Sequence, residues 1–582
     1  MTRNFATTTR VFLFTAILLV ASQHAVLAQN GAKKTDHVAK IQEVLTLAHK
    51  YRLFNGTVLV AENGQVVYKQ GFGMANMEWG IPNTPDTKFR LGSITKQFTA
   101  MLTLQLVEQG KIKLDAKISD YLPDYRQDIG QKVTVHQLLT HTSGIPSYTG
   151  QPGFFDNVSR NPYKVTDFVK KYASGELEFE PGTKFRYNNS GYFLLGAIIE
   201  RVTGKTYEQV LKENILDPLG MKNTGYDHYD TLIPKRAAGY AKTEDGYFNA
   251  PYLDMSIPYA AGSMYSTVED LYLWDQALYT DKLLSAKSKE LMYKPFLEDY
   301  AYGWVVTNAS FKQNDQPVQI IRHGGGINGF STEIVRFVNQ NSLIVILDNT
   351  GQNVGRLTDT ITKILYNQPY EPPKMSIVSV LEKTIKEKGV EAGIAQYRDL
   401  KAKQSAIYDF AEPELNALGY RLLRSDKGKE AIEIFKLNVE VYPKEFNTYD
   451  SLAEAYMTLK QNDLAIANYK KSLELNPKNE NAVDMLKRLE GPAVKVDPKV
   501  FDAYVGEYEL APGFVLRVFR EDDKLMTQAT GQEKFEIFAE SDTTFAPRAF
   551  NAKLTFIKDS EGKVTGVRLD QGGRQINGKK IK

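Results

Sequence analysis

The sequence predicts an α+β domain over residues 36–366, an α-helical repeat domain over 376–490 and a small all-β, barrel-like domain over 498–582. Three observations carry this reading. Strand signals stand at both ends of the first part with helical signals between them. Four positions recur at an offset of 34 within the second. The third is a succession of short apolar runs broken by Asp, Gly and Lys turns.

In the first part, Thr57–Val67 reads as a hairpin, TVLVA and VVY around Glu62-Asn63-Gly64-Gln65, because Asn-Gly suits a tight primed turn. Ser331–Phe337 and Ser342–Leu347 form a second pair of strands around Asn339, Gln340 and Asn341. Thr134 with Gln137, and Thr267 with Asp270, read as capping boxes opening helices. Strands from both ends imply one sheet built from both termini, with a helical region between. Residues 367–375 (NQPYEPPKM) contain three prolines, which resist helix and central strand, and mark a linker.

In the second part, Leu418, Ala431, Phe435 and Pro443 return as Leu452, Ala465, Tyr469 and Pro477, the period and residue pattern of the tetratricopeptide repeat. Glu480–Leu489 reads as a capping helix, and Ile377–Leu400 as further, degenerate helices, since isolated repeats cannot bury both faces. In the third part Tyr504–Leu510, Phe514–Arg520, Phe535–Ala539, Leu554–Lys558 and Val564–Leu569 read as strands, and the length suits about eight in a closed or nearly closed antiparallel barrel.

Composition narrows the function classes. Hydrophobic residues are 42% and charged residues 24%, as in globular proteins. Lys plus Arg is 72 against 69 Asp plus Glu, and a net charge of +3 gives no footprint for nucleic acid. Cysteine is absent, which removes disulfides, thiol nucleophiles and cysteine metal sites. Arg3 and Arg10, the apolar run Val11–Ala21 and the short residues Val26-Leu27-Ala28 predict a signal peptide over residues 1–28. The run is too short to cross about 30 Å of hydrocarbon, so no stable membrane insertion is expected after cleavage. The expected location is the periplasm or outside the cell.

Several chemistries fail on context. The seven histidines form no HExxH or other metal spacing, so no metal site is expected. Gly324–Gly329 matches GxGxxG, but a strand follows where a dinucleotide site needs a helix. No GxSxG elbow occurs. What remains is three separated pieces. Ser93-Ile94-Thr95-Lys96 opens a helix, with Ser93 and Lys96 on one face. A serine needs a base to remove its proton, and an amine serves if burial or a nearby cation lowers its pKa. Tyr187-Asn188-Asn189 offers a phenol to relay a proton and an amide to hold Lys96 and a substrate carbonyl. His323-Gly324-Gly325-Gly326 offers N–H groups at a strand edge and a histidine donor that is cationic part of the time near neutral pH.

Taken in order as SxxK, YxN and HxG, these pieces resemble the serine β-lactamase and penicillin-binding-protein family, most closely its class C β-lactamase-related hydrolases. Leu138–Ile145 (LLTHTSGI) and Ala261–Thr267 (AGSMYST) are similar to two further segments of that group, with Ser263 in place of a usual Gly. The resemblance implies an antiparallel sheet flanked by helices plus a helical region. It implies Ser93 as nucleophile, Lys96 as base or activator of the base, Tyr187 sharing proton transfer, and Asn189 and His323 as substrate contacts. It also places Gly325, in the HxG strand, and Gly326 at the substrate-binding and oxyanion positions, with the Ser93 and Gly326 N–H groups forming the oxyanion hole. No cofactor is implied. His323 stands where the family usually carries Lys, so efficient β-lactamase activity is not expected, and Arg322, alternating away, does not replace the charge.

The functional expectation is a secreted serine hydrolase forming an acyl-enzyme on a small peptide or ester substrate, D,D-peptidase-like or esterase-like. The alternatives are a penicillin- or muropeptide-binding sensor that does not turn over, and a β-lactamase. The repeats leave room for a protein or peptide partner. The C-terminal segment, with Tyr504-Val505-Gly506-Glu507-Tyr508 and Gly562–Gly566, resembles a β domain often appended to such hydrolases.

Overall fold

Two apolar hairpins far apart in sequence close a single sheet. The computed structural model describes residues 36–243, 246–313, 315–490, 498–547, 552–571 and 574–582; the leader expected at 1–28 lies outside them. The chain divides into two compact units between Pro373 and Lys374.

The first unit holds β1 (Gly56–Glu62), β2 (Gln65–Phe72), β3 (Val305–Gln313), β4 (Gln316–Ile327), β5 (Phe330–Phe337) and β6 (Ser342–Asp348). They form one antiparallel sheet in the order β3-β4-β5-β6-β1-β2. Asn63 and Gly64 both take positive φ, 51° and 70°, as a primed two-residue turn requires. The closing contact pairs Gly56 with Asp348, so the N-terminal hairpin completes a sheet begun 250 residues later.

The site depends on helices α1 (36–50), α2 (Thr95–Glu108), α3 (Asn189–Thr203), α4 (Val268–Ala277) and α5 (Gly355–Leu365). Alternation along the strands sends residues to two cores. Val58, Val60, Ile344 and Ile346 pack with Ile41 and Val44 of α1 and Ile361 of α5. Leu59, Ala61, Val345 and Leu347 face the other way, into the core shared with α2, α3 and α4. Each such buried Val, Leu or Ile side chain contributes about 1.5–3 kcal/mol. Phe98 of α2 stacks on Trp274 of α4 with ring centroids 4.3 Å apart. Thr134 and Gln137 form a reciprocal capping box. The second expected box is only half made. Thr267 accepts from the Asp270 N–H, but the Asp270 carboxylate turns to Asn223 N and Thr224 Oγ1.

In the second unit, helices α6 (Val378–Lys388), α7 (Val390–Lys403), α8 (Glu412–Arg424), α9 (Gly428–Val441), α10 (Phe446–Thr458), α11 (Asn462–Leu475) and α12 (Glu480–Glu490) follow one another. Ala431, Phe435, Ala465 and Tyr469, at the recurring positions, are completely buried. Eight strands from Gly506–Ala511 to Arg574–Lys580 form a closed antiparallel barrel, the first pairing with the last. Closure leaves no free edge. Strands Lys524–Ala529, Thr544–Pro547 and Arg574–Lys580 were not evident from sequence, because each mixes polar residues into its run.

Candidate active site

Ser93 sits on a single 3₁₀ turn, Gly92–Ile94, that runs directly into α2. Gly92 has φ +55°, and a Cβ there would meet the Gly326 backbone at about 3 Å. The glycine therefore lets the serine turn lie against β4. One turn further along, Lys96 is fully buried and its Nζ returns to within 2.9 Å of Ser93 Oγ. The same nitrogen lies 2.8 Å from Asn189 Oδ1 and 2.9 Å from the Ala261 carbonyl. Burial holds the amine well below the usual lysine range.

The donor count at Nζ is informative. Asn189 Oδ1 and Ala261 O can only accept. A neutral amine has two N–H bonds, one for each, and one lone pair, left facing the Ser93 hydroxyl. Among the described residues, no carboxylate within ion-pair distance holds this lysine in its charged form.

Asn189 begins α3, whose cap is Asn188, accepting from the Gly191 N–H at 2.9 Å. The Asn189 amide nitrogen donates to Thr149 Oγ1 at 3.0 Å and its backbone N–H to Ser147 Oγ at 3.1 Å, which orients Oδ1 toward Lys96. The Lys96 Nζ lies 4.9 Å from the Tyr187 ring centroid. Tyr187 as a whole is 38% exposed, yet its hydroxyl is desolvated, which pushes the phenol up; a hydrogen bond with the Ser93 side chain acts in the opposite direction. Behind it, His141 packs its ring 4.3 Å from that of Tyr187 and accepts from the Asn188 N–H at 3.1 Å. Burial, then Lys96 and His323, hold His141 well below its ordinary value, so it is a neutral wedge.

The glycines of β4 do different jobs. A Cβ on Gly325 would fall 1.9 Å from the Leu91 carbonyl and 2.4 Å from Thr332 Oγ1, so its bareness lets the strand dock beside the serine turn. Nothing lies within 4 Å of where a Gly326 Cβ would be, and Gly326 lines the pocket with Ser93. His323 is buried and does not line the pocket. Its Nδ1–H donates to Gly324 O at 2.6 Å, and its Nε2 accepts from the Tyr300 hydroxyl at 3.0 Å. Burial first, and Lys96 second, lower its pKa to about 4. The part-time cation expected from sequence is therefore a neutral ring at neutral pH. Arg322 does turn away, to Glu333 and Asp359.

Beside Ser93 opens a pocket of about 470 Å³, lined by Asn189, Gly326, Tyr148, Phe154, Phe155 and Phe330 among others. Sequence reasoning missed Ala261 as a lysine partner, Thr149 and Ser147 as supports of Asn189, and Tyr300. The AGSMYST and LLTHTSG segments pointed to the neighbourhoods of Ala261 and His141 without giving a role. Nothing in the sequence marked Tyr300. Among the described residues, no three His, Cys, Asp or Glu side chains converge on a point.

The fold and this geometry can be set beside known proteins. A family model described as Beta-lactamase matches residues 36–367. The chain belongs to the beta-lactamase family. Membership places it among serine hydrolases of the penicillin-binding-protein-like type. Penicillin-binding protein 4* of Bacillus subtilis is 32% identical over 369 residues, which cover 59% of this chain and 78% of that protein. D-amino acid amidase from Ochrobactrum anthropi, solved with L-phenylalanine amide, superposes with a TM-score of 0.50 at 25% identity, over 57% of this chain and 99% of that one. EstCE1, described as a hydrolase with promiscuous acyltransferase activity, shares the fold, with a TM-score of 0.50 at 22% identity over 57% of this chain and 99% of its own. Residues 490–580 match a second family, a domain of unknown function (DUF3471).

Proposed function

We propose that the chain is an exported serine hydrolase that cleaves an amide or ester through an acyl-enzyme on Ser93. The observation that carries this is the three-oxygen setting of Lys96 Nζ, 2.9 Å from Ser93 Oγ. Burial favours the neutral form of both Lys96 and Tyr187. A neutral lysine is an amine that can accept a proton; a neutral tyrosine is a phenol that cannot. Lys96 is thus the base and Tyr187 the relay.

As Ser93 Oγ attacks the carbonyl carbon, its proton passes to Lys96 Nζ. The carbonyl electrons move onto oxygen, where the N–H groups of Ser93 and Gly326 receive them. The Tyr187 ring, 4.9 Å from Nζ, stabilises the ammonium so formed. Collapse of the tetrahedral adduct breaks the bond to the leaving group, which takes a proton through the Tyr187 hydroxyl. Water then attacks the ester on Ser93 along the reverse proton path, releasing acid and restoring the hydroxyl. Asn189 holds the base and offers its amide to the substrate. Gly325 sets the distance between β4 and the serine turn.

Export rests on the leader motif at residues 1–28, and among the described residues no helix is long and apolar enough to cross a membrane. We read α8–α11 as two tetratricopeptide-type hairpins, supported by the burial of the recurring Ala and aromatic positions. The test of the hydrolase reading is intact-mass analysis with a fluorophosphonate. One adduct on the parent and none on S93A is expected, and equal labelling of both would end it. Product in large molar excess separates an enzyme from a sensor that acylates once.

A further inference from the structure

The reaction above says nothing about which acyl donors fit; the walls of the pocket do. Among the described residues, no Asp, Glu, Lys, Arg or His lines the pocket. Its polar lining is Ser93, Thr149, Asn189, Asn328, the Tyr148 phenol and glycine backbone. Several of these are engaged internally: Thr149 receives the Asn189 amide, and the Asn328 amide donates to Pro251 O at 2.8 Å.

Several charged groups in neighbouring segments are also engaged within the protein. Asp254, next to the lining residue Leu253, accepts from Ser256 N, Ser256 Oγ and Tyr252. Arg90 and Arg236 share Asp227. His323, one residue before the glycines of β4, is buried with both ring nitrogens bonded within the protein. The apolar side chains of the lining, partly aromatic, include Phe154, Phe155, Leu253, Ile257, Pro258 and Phe330. A volume of about 470 Å³ suits a small molecule with one bulky group.

We propose that this pocket selects uncharged acyl donors carrying an aromatic or branched apolar acyl group, and discriminates against substrates with a carboxylate beside the scissile bond. The proposal rests on the Ser93 acyl-enzyme reading and narrows it. A carboxylate brought here must shed water and finds no cation among the lining residues, while a phenyl or isobutyl group displaces water from the half-exposed Phe155. Peptides ending in a free D-amino acid, and bicyclic β-lactams with their ring carboxylate, fall on the disfavoured side.

The test uses the full-length mature chain and matched esters. Phenylacetylglycyl esters of lactic acid and of methyl lactate differ only in a leaving-group carboxylate. The neutral ester is expected to have a kcat/KM about 10- to 100-fold higher. Acetylglycyl methyl lactate tests the acyl side, with the phenylacetyl compound preferred at least about tenfold. Phe155 is half exposed, so Phe155→Lys should fold and place a cation at the lining, shrinking the preference for the neutral ester. Ser93-dependent hydrolysis in which the carboxylated ester is equal or better would overturn the selectivity while leaving the acyl-enzyme intact. If neither ester is hydrolysed and no adduct forms on Ser93, the parent reading falls and this one with it.

Discussion

Replacing Asn189 by Asp changes one atom of the side chain and puts a formal negative charge where Lys96 Nζ now has an amide oxygen at 2.8 Å. Two unit charges at that distance attract by about 6 kcal/mol at an effective dielectric of ~20, equivalent to roughly four pH units in the lysine's titration. Asn189 is only half-buried, so solvent screens part of this. The acid limb of kcat/KM should therefore rise by about two to four pH units. At a pH between the parent's acid limb and the displaced one the amine becomes an ammonium, loses the lone pair facing Ser93, and activity should fall by about 10²- to 10⁴-fold, recovering as pH is raised. Asn189→Leu, which removes the hydrogen bond without adding charge, should lose activity with no comparable displacement of the limb. The assay is a pH profile of kcat/KM on a neutral ester for parent, N189D and N189L. An N189D profile that overlays the parent's would refute the assignment of Lys96 as the base.

Three further outcomes follow from the geometry. Tyr187→Phe keeps the ring beside Lys96 but removes the relay, so turnover should fall about 10²-fold while fluorophosphonate labelling, whose leaving group needs no proton, persists; loss of labelling in step with turnover would contradict this. Gly325→Ala places a Cβ 1.9 Å from the Leu91 carbonyl, and should destabilise the first unit by more than about 3 kcal/mol, read as a lowered urea midpoint. His323 has a folded pKa of about 4, below its unfolded value, so the unfolded state binds more protons between the two. Stability from this residue is complete above the unfolded value and is lost as pH falls toward 4, by about 3 kcal/mol. His323→Asn should flatten that part of the stability profile, and an unchanged slope would count against a buried neutral ring.

Local signals were legible in the sequence, and those that depend on chain-distant packing were not. The Ser93–Lys96 spacing, the Asn63-Gly64 turn and the Thr134 cap are decided within a few residues, and the structure has the same local geometry there. The two hairpins at the ends of the first domain announced the sheet because both faces of β1 and β6 are buried and their runs are nearly all apolar. The third oxygen on Lys96 is a backbone carbonyl at Ala261, and a backbone group leaves no mark in residue identity. The state of His323 was misjudged because its charge is decided first by burial, which spacing does not reveal. Asp270 matched a capping box by position, but Thr224 and Asn223 compete for its carboxylate in the folded chain. The neutral character of the pocket comes from lining residues spread between Gly92 and Gly351, and emerges only when the fold brings them together.

The central claim is that a buried, uncharged amine stands ready at the serine hydroxyl. The direct measurement is an NMR titration of Lys96 in protein labelled with ¹³C at lysine Cε, its signal assigned by loss in Lys96→Met. The account predicts that Lys96 is already neutral through a pH range in which the exposed lysines are still charged. A Lys96 signal that titrates together with the exposed lysines would contradict it.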